Sequence, residues 1–221
     1  NLQSFVGCYA LPLRHGMTFG EIATMANAEQ HWGADLHVIK LKNWQRGDWF
    51  DSNSLIWVNP SPNIRNLTEA LLYPGIAMLE AAENYSVGRG TDAPFEQIGA
   101  DWIDGRQLAG TLNAQFIPGV RVYPTEFEPS SSHLAGKKIQ GVRFVITDRE
   151  SFDSVQLGLE IAVALEKLYP GRIDFERCKW LIGNQNVIGE IKAGMDPVQI
   201  KQQLVQHEEA FANRRKAYLL Y

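Results

Sequence analysis

The sequence predicts an α/β chain with α+β character, in which a mixed sheet is flanked by helices. Stretches of helical and strand periodicity are interleaved along the chain instead of segregated into halves. Its 221 residues are enough to bury a substantial core, as one large domain or two small ones. Apolar content of 45% against 21% charged residues is ordinary globular composition.

The elements follow in order. Thr18-Phe-Gly-Glu21 is a capping box, and Ile22, Met25 and Ala26 give the helix it opens an apolar face running to about His31. Leu36-His-Val-Ile-Lys-Leu41 alternates as a strand does. Residues 43–57, with Trp44, Trp49, Phe50 and Trp57, read as an ordered loop, and the prolines of Asn59-Pro-Ser-Pro-Asn63 extend the chain. Residues 67–72 form a short helix stopped by Tyr73-Pro-Gly75, and residues 76–80 read as a buried strand. A short strand is expected over 95–98, then a helix over 105–116 with Asp104 as its N-cap. Pro118-Gly119 turns the chain into a strand over 120–127, and 138–146 alternates with Val142, Phe144 and Ile146 on one face. Residues 151–169 form a long amphipathic helix ended by Pro170-Gly171, and a short helix follows near 186–193. Asp196-Pro197 opens a charged terminal helix carrying Ile200, Leu204 and Phe211. The Pro/Ser-rich passage 128–136 is the one internal position where the chain would subdivide.

Composition narrows the function. A formal net charge of −4 and a pI near 5.8 argue against nucleic acid as a partner, since binders of polyanions carry a basic face. No apolar run reaches the length of a membrane span. Cys8 and Cys178 are too few for a disulfide framework and too isolated for a zinc site. Histidines 15, 31, 37, 133 and 207 lack metal-site spacing. No nucleophile elbow, Walker loop or dinucleotide fingerprint occurs, and no metal or organic cofactor is expected.

The richest segment runs from Asn84 to Glu96, where Arg89 stands between Gly88 and Gly90. Glycines admit a ligand close to the main chain, and a guanidinium offers a planar fork to a carboxylate or phosphate. Asn84, Ser86, Thr91 and Asp92 complete a polar lining for a small ligand, with Gly90 among the substrate-binding candidates, and His15 lies before a helix N-terminus, a place that favours anions. A plain surface turn is the alternative. Among carboxylates, Glu21 is accounted for by its capping box and Asp104 as an N-cap, while Asp101 shows no local signal. Glu80 and Glu96 flank the loop and are the catalytic candidates, Glu80 doubling as the natural partner of Arg89.

Several segments carry a resemblance. Leu13-Arg-His-Gly-Met-Thr18, Asn59-Pro-Ser-Pro-Asn63, Tyr73-Pro-Gly75, Ser86-Val-Gly-Arg-Gly-Thr-Asp-Ala-Pro-Phe-Glu96, Ile98-Gly-Ala-Asp-Trp-Ile-Asp-Gly105 and Arg215-Lys-Ala-Tyr-Leu-Leu-Tyr221 resemble, in that order, the exo-β-N-acetylmuramidase family of the NamZ type, long catalogued as a domain of unknown function. The match runs from about residue 4 to residue 221 and is most specific in the Gly-Arg-Gly-Thr block. The resemblance implies an N-terminal Rossmann-like domain, a C-terminal domain and an active site between them. It implies release of N-acetylmuramic acid from the non-reducing ends of peptidoglycan fragments, and an exported, periplasmic or extracellular protein. The family's N-terminal Pro-Glu-His-Gly-type motif, with its catalytic glutamate, has no counterpart; the nearest string is Arg14-His-Gly16. The chain is therefore expected to be the C-terminal part of a two-domain protein whose Rossmann-like domain is mostly absent. Glycoside hydrolysis needs two carboxyls about 5–9.5 Å apart, so one is expected on that missing domain. Muropeptides and the N-terminal domain are the expected partners, and a non-catalytic muropeptide-binding module is the alternative.

Overall fold

A computed structural model describes Leu2 and residues 7–221. Its helices are α1 (Phe19–Glu29), α2 (Leu67–Ile76), α3 (Gly105–Ala114), α4 (Ser154–Leu168), α5 (Phe175–Ile182), α6 (Gln185–Lys192) and α7 (Pro197–Arg215). Its strands are β1 (Gln97–Ala100), β2 (Val120–Phe127) and β3 (Ile139–Ile146). The first few residues of the matched span lie outside the described residues.

Most starts are set locally. Thr18 accepts the Glu21 N–H at 3.4 Å while the Glu21 carboxylate accepts the Thr18 N–H at 2.7 Å, closing the capping box. Asp104 and Asp196 cap α3 and α7, and Asp153 caps α4, each taking two backbone N–H groups. α5 has no counterpart in the sequence reading, although Asp174 caps its start by accepting the Glu176 and Arg177 N–H groups and Gly183 closes its end at φ +72°.

The three strands form an antiparallel sheet in the order β1-β3-β2, with Ile98 opposite Val142 and Val122 opposite Phe144. The expected mixed sheet is thus corrected among the described residues. β1, α3 and β2 form a crossover, but β3 inserts between the two strands that would have paired in parallel. Residues 128–136, where the sequence suggested a subdivision, join two paired strands of this one sheet.

The region 73–80 also differs from expectation. α2 continues through Pro74 to Ile76, and a 3-10 turn follows over Ala77–Leu79 where a strand was expected. Proline inside a helix removes a backbone donor. Here the Ser154 hydroxyl inserts at that point, donating to the Leu72 carbonyl at 3.0 Å and accepting the Gly75 N–H at 2.8 Å. A Cβ on Gly75 would lie 1.9 Å from the Ser154 carbonyl oxygen, so only glycine lets α2 and α4 approach this closely. α4 is the central helix, packed on α2, α3, α6 and α7.

Two earlier expectations fail. Residues 36–41 form no regular element and pair with no strand among the described residues. Asn59-Pro-Ser-Pro-Asn63 is only partly extended, since it ends in a tight turn where Ile64 N–H bonds Ser61 O at 3.0 Å.

The main core gathers α2 to α7 and the sheet, and a smaller cluster of Met17, Met25 and Phe211 joins α1 to α7. The buried Glu21 carboxylate ties that junction together. Besides its cap it accepts from Arg46 at 2.5 Å and from the Leu220 N–H at 2.8 Å. Arg214 forks onto Glu29 at 2.8 and 2.9 Å.

Candidate functional site

The Gly-Arg-Gly loop leaves the turn after α2 and enters β1. Ser86 exchanges backbone hydrogen bonds with Gly99 at 2.8 and 3.0 Å, and Phe95 N–H closes on Val87 O at 2.8 Å. Gly88 and Gly90 both have φ of +78°, a region that side chains rarely adopt. A Cβ on Gly90 would meet the Ser131 carbonyl at 2.5 Å. The Gly90 carbonyl is held by the Ser130 N–H at 2.8 Å and its hydroxyl at 2.7 Å, so the β2–β3 connection braces the loop.

Most of the short polar groups are committed inward. Thr91 Oγ1 donates to Gly88 O at 2.7 Å and accepts from Ala93 N–H at 3.1 Å and Gln97 Nε2 at 2.9 Å. The Ser86 hydroxyl accepts the Gly88 N–H at 3.2 Å and is buried. Ser86, Gly90 and Thr91 therefore shape the loop, and Arg89 is the group they present.

Arg89 Nε is hydrogen-bonded to Glu80 Oε1, with 29% and 20% of the two side chains exposed. The guanidinium lies 5.0 Å from the centre of the Phe95 ring, which meets Tyr73 edge to face at 4.9 Å. Both Nη groups of Arg89 are left without a protein acceptor among the described residues. Phe95 is fully buried at φ +60°, a conformation that costs a bulky residue about 1–2 kcal/mol and is held by the closure on Val87.

Glu96 binds Arg143 Nη2 at 2.9 Å and accepts from Asn66 Nδ2 at 3.3 Å. The two catalytic candidates thus each engage an arginine. A third pair, Arg65 with the buried Glu69, stands at the start of α2, and Arg65 Nη2 reaches the Asp92 carbonyl at 2.7 Å. Sequence reasoning did not single out Arg65, Glu69 or Ser130, and it named Tyr73 only within Tyr73-Pro-Gly75, not as a site residue. The one local signal was Asn66, whose side chain caps α2 by accepting the Glu69 N–H at 2.9 Å.

Two candidates lie apart from Arg89. Asn84 turns its amide to the Arg172 carbonyl at 2.8 Å and lines an open cleft of about 640 Å³ with Glu83, Glu166, Arg172, Arg177 and Lys192. His15 sits at the α1–α7 junction, where its Nδ1 accepts the Met17 N–H at 3.1 Å and Arg215 donates to its carbonyl at 2.7 Å. Burial, with a smaller contribution from the Arg215 charge, holds the His15 pKa below its ordinary value. Among the described residues no group of three or more His, Cys, Asp and Glu is placed to hold a metal ion, and no helix is long and apolar enough to cross a membrane.

Comparison with known proteins adds a family. Residues 71–221 match the sequence model for the C-terminal region of exo-β-N-acetylmuramidase NamZ, and residues 1–68 match the model for its N-terminal region. The peptidoglycan β-N-acetylmuramidase NamZ of Bacillus subtilis (strain 168) is 38% identical over 221 residues, covering 99% of this chain and 53% of that protein. Two crystal structures of DUF1343 family proteins from Bacteroides fragilis NCTC 9343 superpose with TM-scores of 0.79 and 0.75, at 27% and 26% identity. Each covers 100% of this chain and 60% of its own. The chain therefore spans about half the length of the curated relative it matches.

Proposed function

Since this chain belongs to the exo-β-N-acetylmuramidase NamZ family, we propose that it supplies one wall of a cleft that releases N-acetylmuramic acid from the non-reducing ends of peptidoglycan fragments. The observation that carries this reading is Arg89. Glu80 fixes the guanidinium through Nε, its Nη fork stays available, and the Phe95 ring that backs it also packs against the partly exposed Tyr73. Muramic acid differs from glucosamine by a lactyl ether that bears a carboxylate. A planar fork beside an aromatic side chain suits that carboxylate next to a sugar ring.

The other wall, with the catalytic acid, comes from further chain of the N-terminal, Rossmann-like domain. The uncovered apolar side chains of residues 36–41 and 55–58 support that division. A substrate of this kind supports an exported protein that works at the cell envelope. A second reading, a muropeptide-binding module without hydrolysis, draws on one observation: Glu80 and Glu96 are both engaged by arginines.

Release of the chromophore from a chromogenic β-N-acetylmuramide tests the proposal. The chain extended to the full length of its gene product should be active, and Arg89→Ala in it should lower kcat/KM by about 10–100-fold, the usual loss for a charged hydrogen-bonding partner. Binding of N-acetylglucosamine, which lacks the lactyl group, should change less than about threefold. Equal losses on both sugars would remove the lactyl assignment, and binding without turnover in the full protein would favour the module.

A further inference from the structure

We infer that Arg65 is a positioning residue for the carboxylate-reading loop, an inference that rests on the role just proposed for Arg89. Arg89 is suspended between Gly88 and Gly90, the two residues with the loosest backbone torsions in the loop. A guanidinium on such a mount recognises a carboxylate selectively only if the mount is fixed before the ligand arrives, because ordering it on binding lowers affinity. Ser130 fixes one side, at the Gly90 carbonyl. Arg65 fixes the two residues that follow: its Nη2 donates to the Asp92 carbonyl at 2.7 Å and lies 3.4 Å from the Thr91 carbonyl.

Arg65 is itself aimed by Glu69, whose side chain is 1% exposed. Glu69 Oε1 lies 3.4 Å from Arg65 Nε and 3.3 Å from Nη2, and Oε2 accepts the Arg65 backbone N–H. One corner at the start of α2 thus holds the segment at two points, since the neighbouring Asn66 donates to Glu96. The fork is the property that matters. Arg65 bonds a carboxylate and a carbonyl together, which a lysine ammonium, as a single point of charge, does less well. Arg65→Lys keeps a positive charge beside the buried Glu69 while loosening the hold on Asp92. Arg65→Ala removes both.

The test is made on the full-length gene product by calorimetric titration with N-acetylmuramic acid and with N-acetylglucosamine, for wild type, Arg65→Lys, Arg65→Ala and Arg89→Ala. Both Arg65 variants should bind N-acetylmuramic acid about tenfold more weakly, with N-acetylglucosamine changed less than about twofold. If Arg65→Ala does not fold, Arg65→Lys carries the test alone. Equal weakening towards both sugars would show a purely structural residue and overturn the inference, as would wild-type binding of both. Should Arg89→Ala itself keep the preference for N-acetylmuramic acid, the reading of Arg89 falls and this inference with it. Loss of preference in Arg89→Ala but not in the Arg65 variants would overturn the positioning role alone.

Discussion

The residues up to 68 and those from 71 onward match different parts of the family and dispose of their apolar side chains in opposite ways. Among the described residues only Ile64 precedes Leu72 in the buried main core. Nine of the sixteen large hydrophobic residues left exposed among them fall before residue 68, including Phe19, Ile39 and Ile56. The later region carries its own core. The earlier one is held by its edges, through Arg214 on Glu29, Arg215 on the His15–Gly16 turn and Leu220 on Glu21. A stretch of chain can have the right side chains for a strand or a core and still expose them, because burial requires a second surface.

The largest effect should come from breaking one of the tightest contacts of the later region. In Gly75→Ala the new Cβ would stand 1.9 Å from a backbone oxygen of α4, and neither helix can yield without repacking the core. A loss of at least about 3 kcal/mol in denaturant unfolding is expected, at the upper end for overpacking. Gly47→Ala in the earlier region meets nothing within 4 Å and should stay within about 0.5 kcal/mol. Similar losses at the two glycines would erase the distinction between the regions.

The same contrast explains what could be read from the sequence. Caps were legible because donor and acceptor lie within three residues: Thr18 with Glu21, and Asp104 with Arg106 and Gln107. Strands 120–127 and 138–146 were legible from alternation. Tyr73-Pro-Gly75 was misread as a stop because its compensation comes from Ser154, 79 residues away from Gly75. The apolar run that follows it has no period that separates a buried strand from a helical turn. In the candidate site the loop and the Arg89–Glu80 pair were legible, being close in sequence. The internal hydrogen bonds of the small polar residues, Ser86 and Thr91 with Gly88, were not legible, since they depend on the fold of the loop. Arg65 and Glu69 left no local mark, because their contact with Asp92 arises only after folding.

A smaller effect should appear at the seam between the regions. His15 is held below its ordinary pKa of 6.5, first by burial and then by Arg215. The unfolded chain therefore takes up the proton more readily, and stability rises with pH wherever the unfolded state binds more protons. The contribution is complete above about pH 6.5 and is lost as pH falls below it towards the depressed value. Protonation at Nδ1 would also remove the acceptor for the Met17 N–H. The melting temperature of the wild type should therefore drop between pH 7.5 and 5.5 by more than that of His15→Gln. Parallel curves would show that this seam is insensitive to the His15 charge.

The smallest effect on this chain is the most informative about the earlier region. Ile39 and Ile56 are 94% and 87% exposed, so Lys at either position removes little burial and should shift unfolding by less than about 0.5 kcal/mol. In the full-length gene product the same substitutions should behave differently, because residues 36–41 and 55–58 are proposed to pack against the rest of the N-terminal domain. A lysine in a packed interface forfeits about 1.5–3 kcal/mol of side-chain burial before its charge is counted. A loss of that size in the long protein, with none in the short one, would mean that the exposed face is one half of an interior. No loss in either would return residues 36–58 to the status of a surface loop. The earlier region would then be held by its contacts with α7 and the C-terminal tail and by those of Ile64, Arg65 and Asn66 with the later region.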